Sequence, residues 1–186
     1  TDSGRVGPYC VASLASPTPS SGGQIDAHRD GFTVRAQAYT CTVAEGAVIT
    51  SFRLVSSDGL GPELAGPQGW GQLALFDDVP FFWDAWDVEG YHAEKPLPMQ
   101  KPTAAKIEAR PTGDGWTVSS EWRLSSESSC VVSLFLPAVG ASVRYSFDVK
   151  WHESHKLLKF ICATPITADA ATFDAQFGQV NRPTHT

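Results

Sequence analysis

The residues best placed to do chemistry lie in one stretch, F81-F-W-D-A-W-D-V-E-G-Y-H92. Asp84, Asp87 and Glu89 crowd it, with Asp77 and Asp78 just upstream. Carboxylate pairs cleave glycosidic bonds. Trp and Tyr beside acids are also how proteins hold sugars, with rings on the apolar sugar face and acids on its hydroxyls. An acid-rich loop is more often a solvated or capping one, and Trp83 and Trp86 would serve equally well as plugs at the end of a sandwich. Asp84 and Asp87 stand three apart on one short turn. That places them poorly to flank a bond at the ~5 Å or ~6.5–9.5 Å that retention or inversion requires. The Trp-Asp pairs recur every three residues rather than every two, so the stretch should leave a sheet as a turn or single coil.

Other reactive motifs carry less. W151-H-E-S-H155 is one residue short of the HExxH zinc motif and continues a strand, so its two His fall on opposite faces. Glu153 and His155, two apart and on one face, are expected to hydrogen-bond each other at a strand end. No G-x-S-x-G elbow or Gly-rich phosphate loop occurs, and Gly22-Gly23 lies in a turn-rich connector. Cys10, Cys41, Cys130 and Cys162 form no CxxC pair, which argues against a zinc ribbon. Cys130 and Cys162 sit in apolar strand-like runs, where buried free thiols are expected in preference to a disulfide.

These residues must be held by a globular frame. The 186 residues, 42% hydrophobic and 18% charged, suffice for one domain with a core or for part of a larger one. A net charge of -6 argues against a general binder of nucleic acid or of a membrane surface, and no segment reaches the roughly 20 apolar residues of a membrane helix. The start lacks both an initiator Met and a signal-peptide stretch, which suggests a processed or excised chain and leaves the compartment open. The only Asn, Asn181, precedes Arg-Pro, so there is no N-glycosylation sequon.

Residues 1–31 read as an irregular N-terminal segment and linker, and residues 32–186 as a β-domain. Strands are expected over 32–43, 47–55, 72–76, 104–110, 115–124, 130–136, 142–152, 156–166 and 172–177. In S142-V-R-Y-S-F-D-V-K-W-H152, Val143, Tyr145, Phe147, Val149 and Trp151 point one way and the polar residues the other. No helical pattern emerges. The fold class is therefore all-β, an antiparallel β-sandwich. Both faces of K156-L-L-K-F-I-C162 are substantially apolar, the mark of a strand covered on both sides and of a piece of a larger assembly.

Three ordered blocks carry a family resemblance. F76-D-D-V-P-F-F-W-D-A-W-D-V-E-G-Y-H92 closely resembles a signature of the glycoside hydrolase family 38 α-mannosidases, in the branch of cytosolic and fungal vacuolar enzymes. D148-V-K-W-H-E-S-H-K-L-L-K-F160 and F173-D-A-Q-F-G-Q-V-N-R-P-T-H185 resemble two further segments of that family, and G46-A-V-I-T-S-F52 a fourth, more weakly. The match runs from about Phe32 to the end; Phe82 stands where the family usually has Tyr.

The resemblance implies a piece of the family's C-terminal β-domain, of galactose-mutarotase-like supersandwich fold, with an unpaired edge because the family continues into further strands. It also implies a retaining exo-α-mannosidase as parent. That enzyme's aspartate nucleophile and its zinc or cobalt lie in a preceding barrel domain, so no catalytic or metal residue is carried over to this chain. The expected partners are that catalytic domain and mannose-containing glycans, with a homo-oligomer left open. Trp83, Asp84, Trp86, Asp87 and Tyr91, and secondarily Arg182 and His185, are the expected wall of a mannose pocket. The alternative is a stand-alone carbohydrate- or protein-binding sandwich without hydrolase activity.

Overall fold

Alternation along the strands decides which side chains form the core. The computed structural model describes residues 10–11, 23–83, 88–110 and 112–184. In chain order the strands are β1 (Cys10–Val11), β2 (Gln24–His28), β3 (Gly31–Arg35), β4 (Tyr39–Ala44), β5 (Val48–Ser56), β6 (Gly59–Leu60), β7 (Trp70–Asp77) and β8 (Pro96–Leu97). They continue with β9 (Lys106–Ala109), β10 (Gly115–Arg123), β11 (Ser129–Pro137), β12 (Arg144–Lys150), β13 (Lys156–Cys162), β14 (Ala170–Ala175) and β15 (Gly178–Pro183).

One sheet runs β1-β9-β10-β11-β12 and the other β13-β7-β5-β4-β3-β2, with β6 added on β5 and β8 on β7. Among the described residues every pairing is antiparallel except that of β1 with β9. The architecture is the expected antiparallel sandwich.

The core lies between the two sheets. Phe32, Val34, Tyr39, Cys41, Val43 and Ile49 from one meet Ile107, Trp116, Val118, Cys130, Val132 and Leu134 from the other, all essentially inaccessible to water. Removing a Val, Leu or Phe side chain from water contributes about 1.5–3 kcal/mol, which makes this stripe the main source of stability. Polar ties cross the gap where a ring carries a donor. Trp122 Nε1 donates to Gly46 O at 3.0 Å, and Tyr39 Oη to Pro137 O at 2.9 Å. Burial holds the Tyr39 hydroxyl well above its usual pKa and pushes the Cys41 thiol up to about 12. Gly31 (φ 149°) permits a close approach, since a Cβ there would lie 2.0 Å from Val43 O.

Several expectations need correction. The connector does not run to residue 31: Gln24–His28 is a strand paired residue for residue with Gly31–Arg35. The long strand over 32–43 is two strands, broken where Ala36 N–H donates to Tyr39 O. Among the described cysteines Cys41 and Cys130 are buried and Cys162 is exposed, so burial holds for only one of the two expected thiols.

The aromatic face of β12 is less covered than its alternation suggests, with Phe147 43% exposed. β13 is likewise an edge strand, half-buried rather than enclosed on both sides. The two edges meet through Phe160, whose ring lies 5.0 Å from both Tyr145 and Phe147. The β14–β15 hairpin forms a two-stranded sheet of its own.

Candidate functional site

The acidic-aromatic stretch follows the end of β7, and its root at Asp77 and Asp78 is gripped from three sides. Lys156 at the start of β13 pairs with Asp77 at 2.6 Å. Asp77 N–H donates to Lys95 O, and Asp78 N–H to His155 O at 2.8 Å. The return path is a 3-10 turn over Gly90–Glu94, which swings Tyr91 back across the loop. Its hydroxyl donates to Val79 O, its ring meets Phe81 edge-on at 5.8 Å, and Lys95 Nζ sits 4.8 Å from the ring centroid. Desolvation, with Glu89 and Asp78 nearby, raises the Tyr91 pKa, so the hydroxyl stays a donor.

His92 turns inward beside Tyr91. Its ring packs edge-on against Phe76 at 5.5 Å, and its Nδ1 lies 2.7 Å from Glu89 O. A carbonyl oxygen only accepts, so Nδ1 is the donor in this contact. Among the described residues neither His92 Nε2 nor Asp78 Oδ1 has a hydrogen-bond partner, although both are buried.

The tip is exposed. Phe81, Phe82 and Trp83 are 78%, 75% and 77% accessible, and Trp83 is held at φ 62°, an uncommon angle for a bulky residue. Trp83 therefore does not plug the sandwich; Trp116 and Trp122 fill that interior instead. Val79, Pro80, Phe81, Tyr91 and Lys95 line a shallow pocket of about 510 Å³ under the tip.

Of the expected site residues, the structure brings Trp83 and Tyr91 onto one loop. Arg182 stands elsewhere, exposed on β15 opposite Ala171. Asp84, Trp86, Asp87 and His185 lie outside the described residues. Among the described residues no three of His, Cys, Asp and Glu converge as a metal site would need.

Phe81, His92 and Asp78 fell within or beside the stretch singled out in the sequence without being given a role, and Lys95, four residues after Tyr91, was not noticed at all. Glu153 does not bond His155: it accepts from Ser125 Oγ and Ser128 Oγ, because β12 ends at Lys150 and no strand carries the pair. Those serine hydrogen bonds, the largest influence, lower the Glu153 pKa.

Two packed antiparallel sheets with a loop clamped at its root define a class, the antiparallel β-sandwich domain. The chain belongs to the glycosyl hydrolases family 38 C-terminal domain, whose family model matches residues 50–186, and this domain is a non-catalytic part of those hydrolases. It is 36% identical, over 91% of its own length, to the Mus musculus protein named Alpha-mannosidase 2C1. It is 42% identical over 61% to the Homo sapiens Alpha-mannosidase 2C1 and 37% identical over 61% to Alpha-mannosidase G of Dictyostelium discoideum. The chain spans only 17%, 11% and 11% of the lengths of those relatives.

Proposed function

We propose that this chain serves as the β-domain of a retaining exo-α-mannosidase, seated against the catalytic domain with the 78–91 loop lining the mannose pocket. One observation carries the reading. Three large aromatics, Phe81, Phe82 and Trp83, are presented to solvent on a loop whose base is tightly held by Asp77–Lys156 and Tyr91. Contiguous exposed aromatics on a held support mark a surface that meets a partner or ligand. Trp83 supplies a stacking face for a hexose, and Tyr91 and Lys95 keep Phe81 and the tip in place. Asp84, Trp86 and Asp87 complete the wall, with Arg182 and His185 as secondary contributors. The metal and the nucleophile belong to the catalytic domain, where zinc or cobalt is expected.

The test is Trp83→Ala in the whole enzyme that carries this chain, assayed on an aryl α-mannoside with metal content measured in parallel. A wall role predicts a rise in KM of roughly tenfold, the size of one lost stacking contact of about 1.5 kcal/mol, with metal content unchanged. Unchanged kinetics with lowered solubility or assembly would reduce the loop to packing. Mannoside binding by the chain alone, abolished by the same substitution, would favour the stand-alone binding module.

A further inference from the structure

A second feature lies away from the loop, where one sheet parts. β5 and β7 share a single residue pair, Ile49 with Trp70, before β7 runs on to pair with β8 at Leu75 and Phe76. Between β7, the Glu45–Ala47 turn and the segment 99–102 this leaves a groove of about 570 Å³, within the range of small-ligand sites.

Its floor is apolar: Val48, Leu73 and Trp122 are buried there and Met99 partly so. Its rim is polar. Glu45 is neutralised by Lys101 at 2.6 Å, whereas Asp30, Gln72 and Gln100 have no side-chain partner among the described residues. Each free amide offers two donors and one acceptor oxygen, and the carboxylate offers acceptors only.

The charge balance narrows the ligand. One uncompensated carboxylate disfavours phosphorylated or sulfated compounds. Amides that both donate and accept suit hydroxyl groups, which do the same. A floor of methyl, thioether and indole edge suits the C–H face of a ring. We propose that this groove is a saccharide-binding subsite for one or two neutral hexose units, distinct from the 78–91 loop and gripped by Gln72, Gln100 and Asp30. That the hexose is mannose rests on the function proposed above.

Titration of the 186-residue chain with an α-linked mannobiose, followed by amide and indole NMR, tests it. Shifts are expected at Gln72, Met99, Gln100 and the Trp122 indole, with Kd in roughly the millimolar range. Gln72→Ala with Gln100→Ala should weaken binding about tenfold, the loss of about two neutral hydrogen bonds, and Phe177→Ser, on the exposed β14–β15 turn away from both sites, should leave it unchanged. Thermal melts of each variant confirm that the fold is retained. Stationary groove resonances, or an affinity indifferent to both glutamines, overturn the subsite. Shifts confined to residues 79–91 also overturn it while leaving the pocket-wall reading intact. A failed Trp83→Ala kinetic test in the whole enzyme removes that reading without touching the groove.

Discussion

Glu63 occupies the place that a neighbouring strand would take beside β5, and its replacement by Gln gives a sharp pH test. Because β5 and β7 share one pair, the segment after β6 fills the gap, with Leu64 N–H donating to Phe52 O at 2.9 Å. The Glu63 carboxylate completes the contact. Oε1 accepts from Phe52 N–H at 2.6 Å and from Leu64 and Ala65 N–H at 3.1 Å, while Oε2 accepts from Ser51 Oγ at 2.7 Å and Arg53 at 3.3 Å. Burial pushes the carboxyl up, but the bonds from Ser51, Phe52, Ala65 and Arg53 together more than offset it, leaving a pKa of about 2 against an ordinary 4.5.

A folded pKa below the unfolded one stabilises the native state above the unfolded pKa, and the effect is lost as pH falls through the folded value. The window is therefore pH 4.5 down to about 2. A shift of this size corresponds to about 3 kcal/mol. The side chain is 31% exposed, so screening leaves about 1.5–2 kcal/mol. Urea unfolding of the parent chain and Glu63→Gln should differ by that amount at neutral pH and converge as pH falls through this window. A difference that stays flat across the window, or a Glu63 carboxyl carbon titrating near 4.5 by NMR, refutes the reasoning.

Further expectations follow from single contacts. Trp122→Phe keeps the apolar bulk but orphans Gly46 O, so urea unfolding should show a loss of about 1–3 kcal/mol. Gly31→Ala would drive a methyl into Val43 O at a left-handed φ, costing about 2–4 kcal/mol by overpacking and strain, read as a lower thermal midpoint. The Glu153 carboxyl should titrate below the ordinary range in the parent chain, and closer to it once Ser125→Ala and Ser128→Ala are combined. Phe147→Ser or Phe160→Ser, on the 43% and 41% exposed seam, should raise solubility while lowering the urea midpoint by the equivalent of about 1–2 kcal/mol, since each ring packs on its neighbours.

Strong alternation made the frame legible. β10 and β11 bury every second residue and fall where Trp116, Val118, Leu134 and Leu136 place them. Local patterning could not show where alternation stops meaning burial. Val143 to Trp151 alternate as well as any stretch, yet β12 is an edge and its aromatics are half in water. The Gln24–His28 strand was hidden because it lies in a Ser-, Pro- and Gly-rich setting and depends on its hairpin partner. At the loop, residue types announced the aromatic and acidic character. The root of the loop is held by Lys156 on Asp77 and by His155 O on Asp78 N–H, contacts that no short window contains.

The ties across the sandwich also set the tempo of folding. Tyr39 reaches Pro137 over 98 residues, Trp122 reaches Gly46 over 76, and Tyr145 reaches Trp70 over 75. Such high contact order slows folding toward the milliseconds-to-seconds range. On a ribosome adding about 5–20 residues per second, the Phe32–Ile49 half of the core waits several seconds before Trp116, Val132 and Leu134 emerge to cover it. The nascent sheet thus keeps its apolar face uncovered over that interval. Substitutions that hasten hairpin closure at β10–β11, rather than those that deepen the finished core, should most improve the yield of soluble protein.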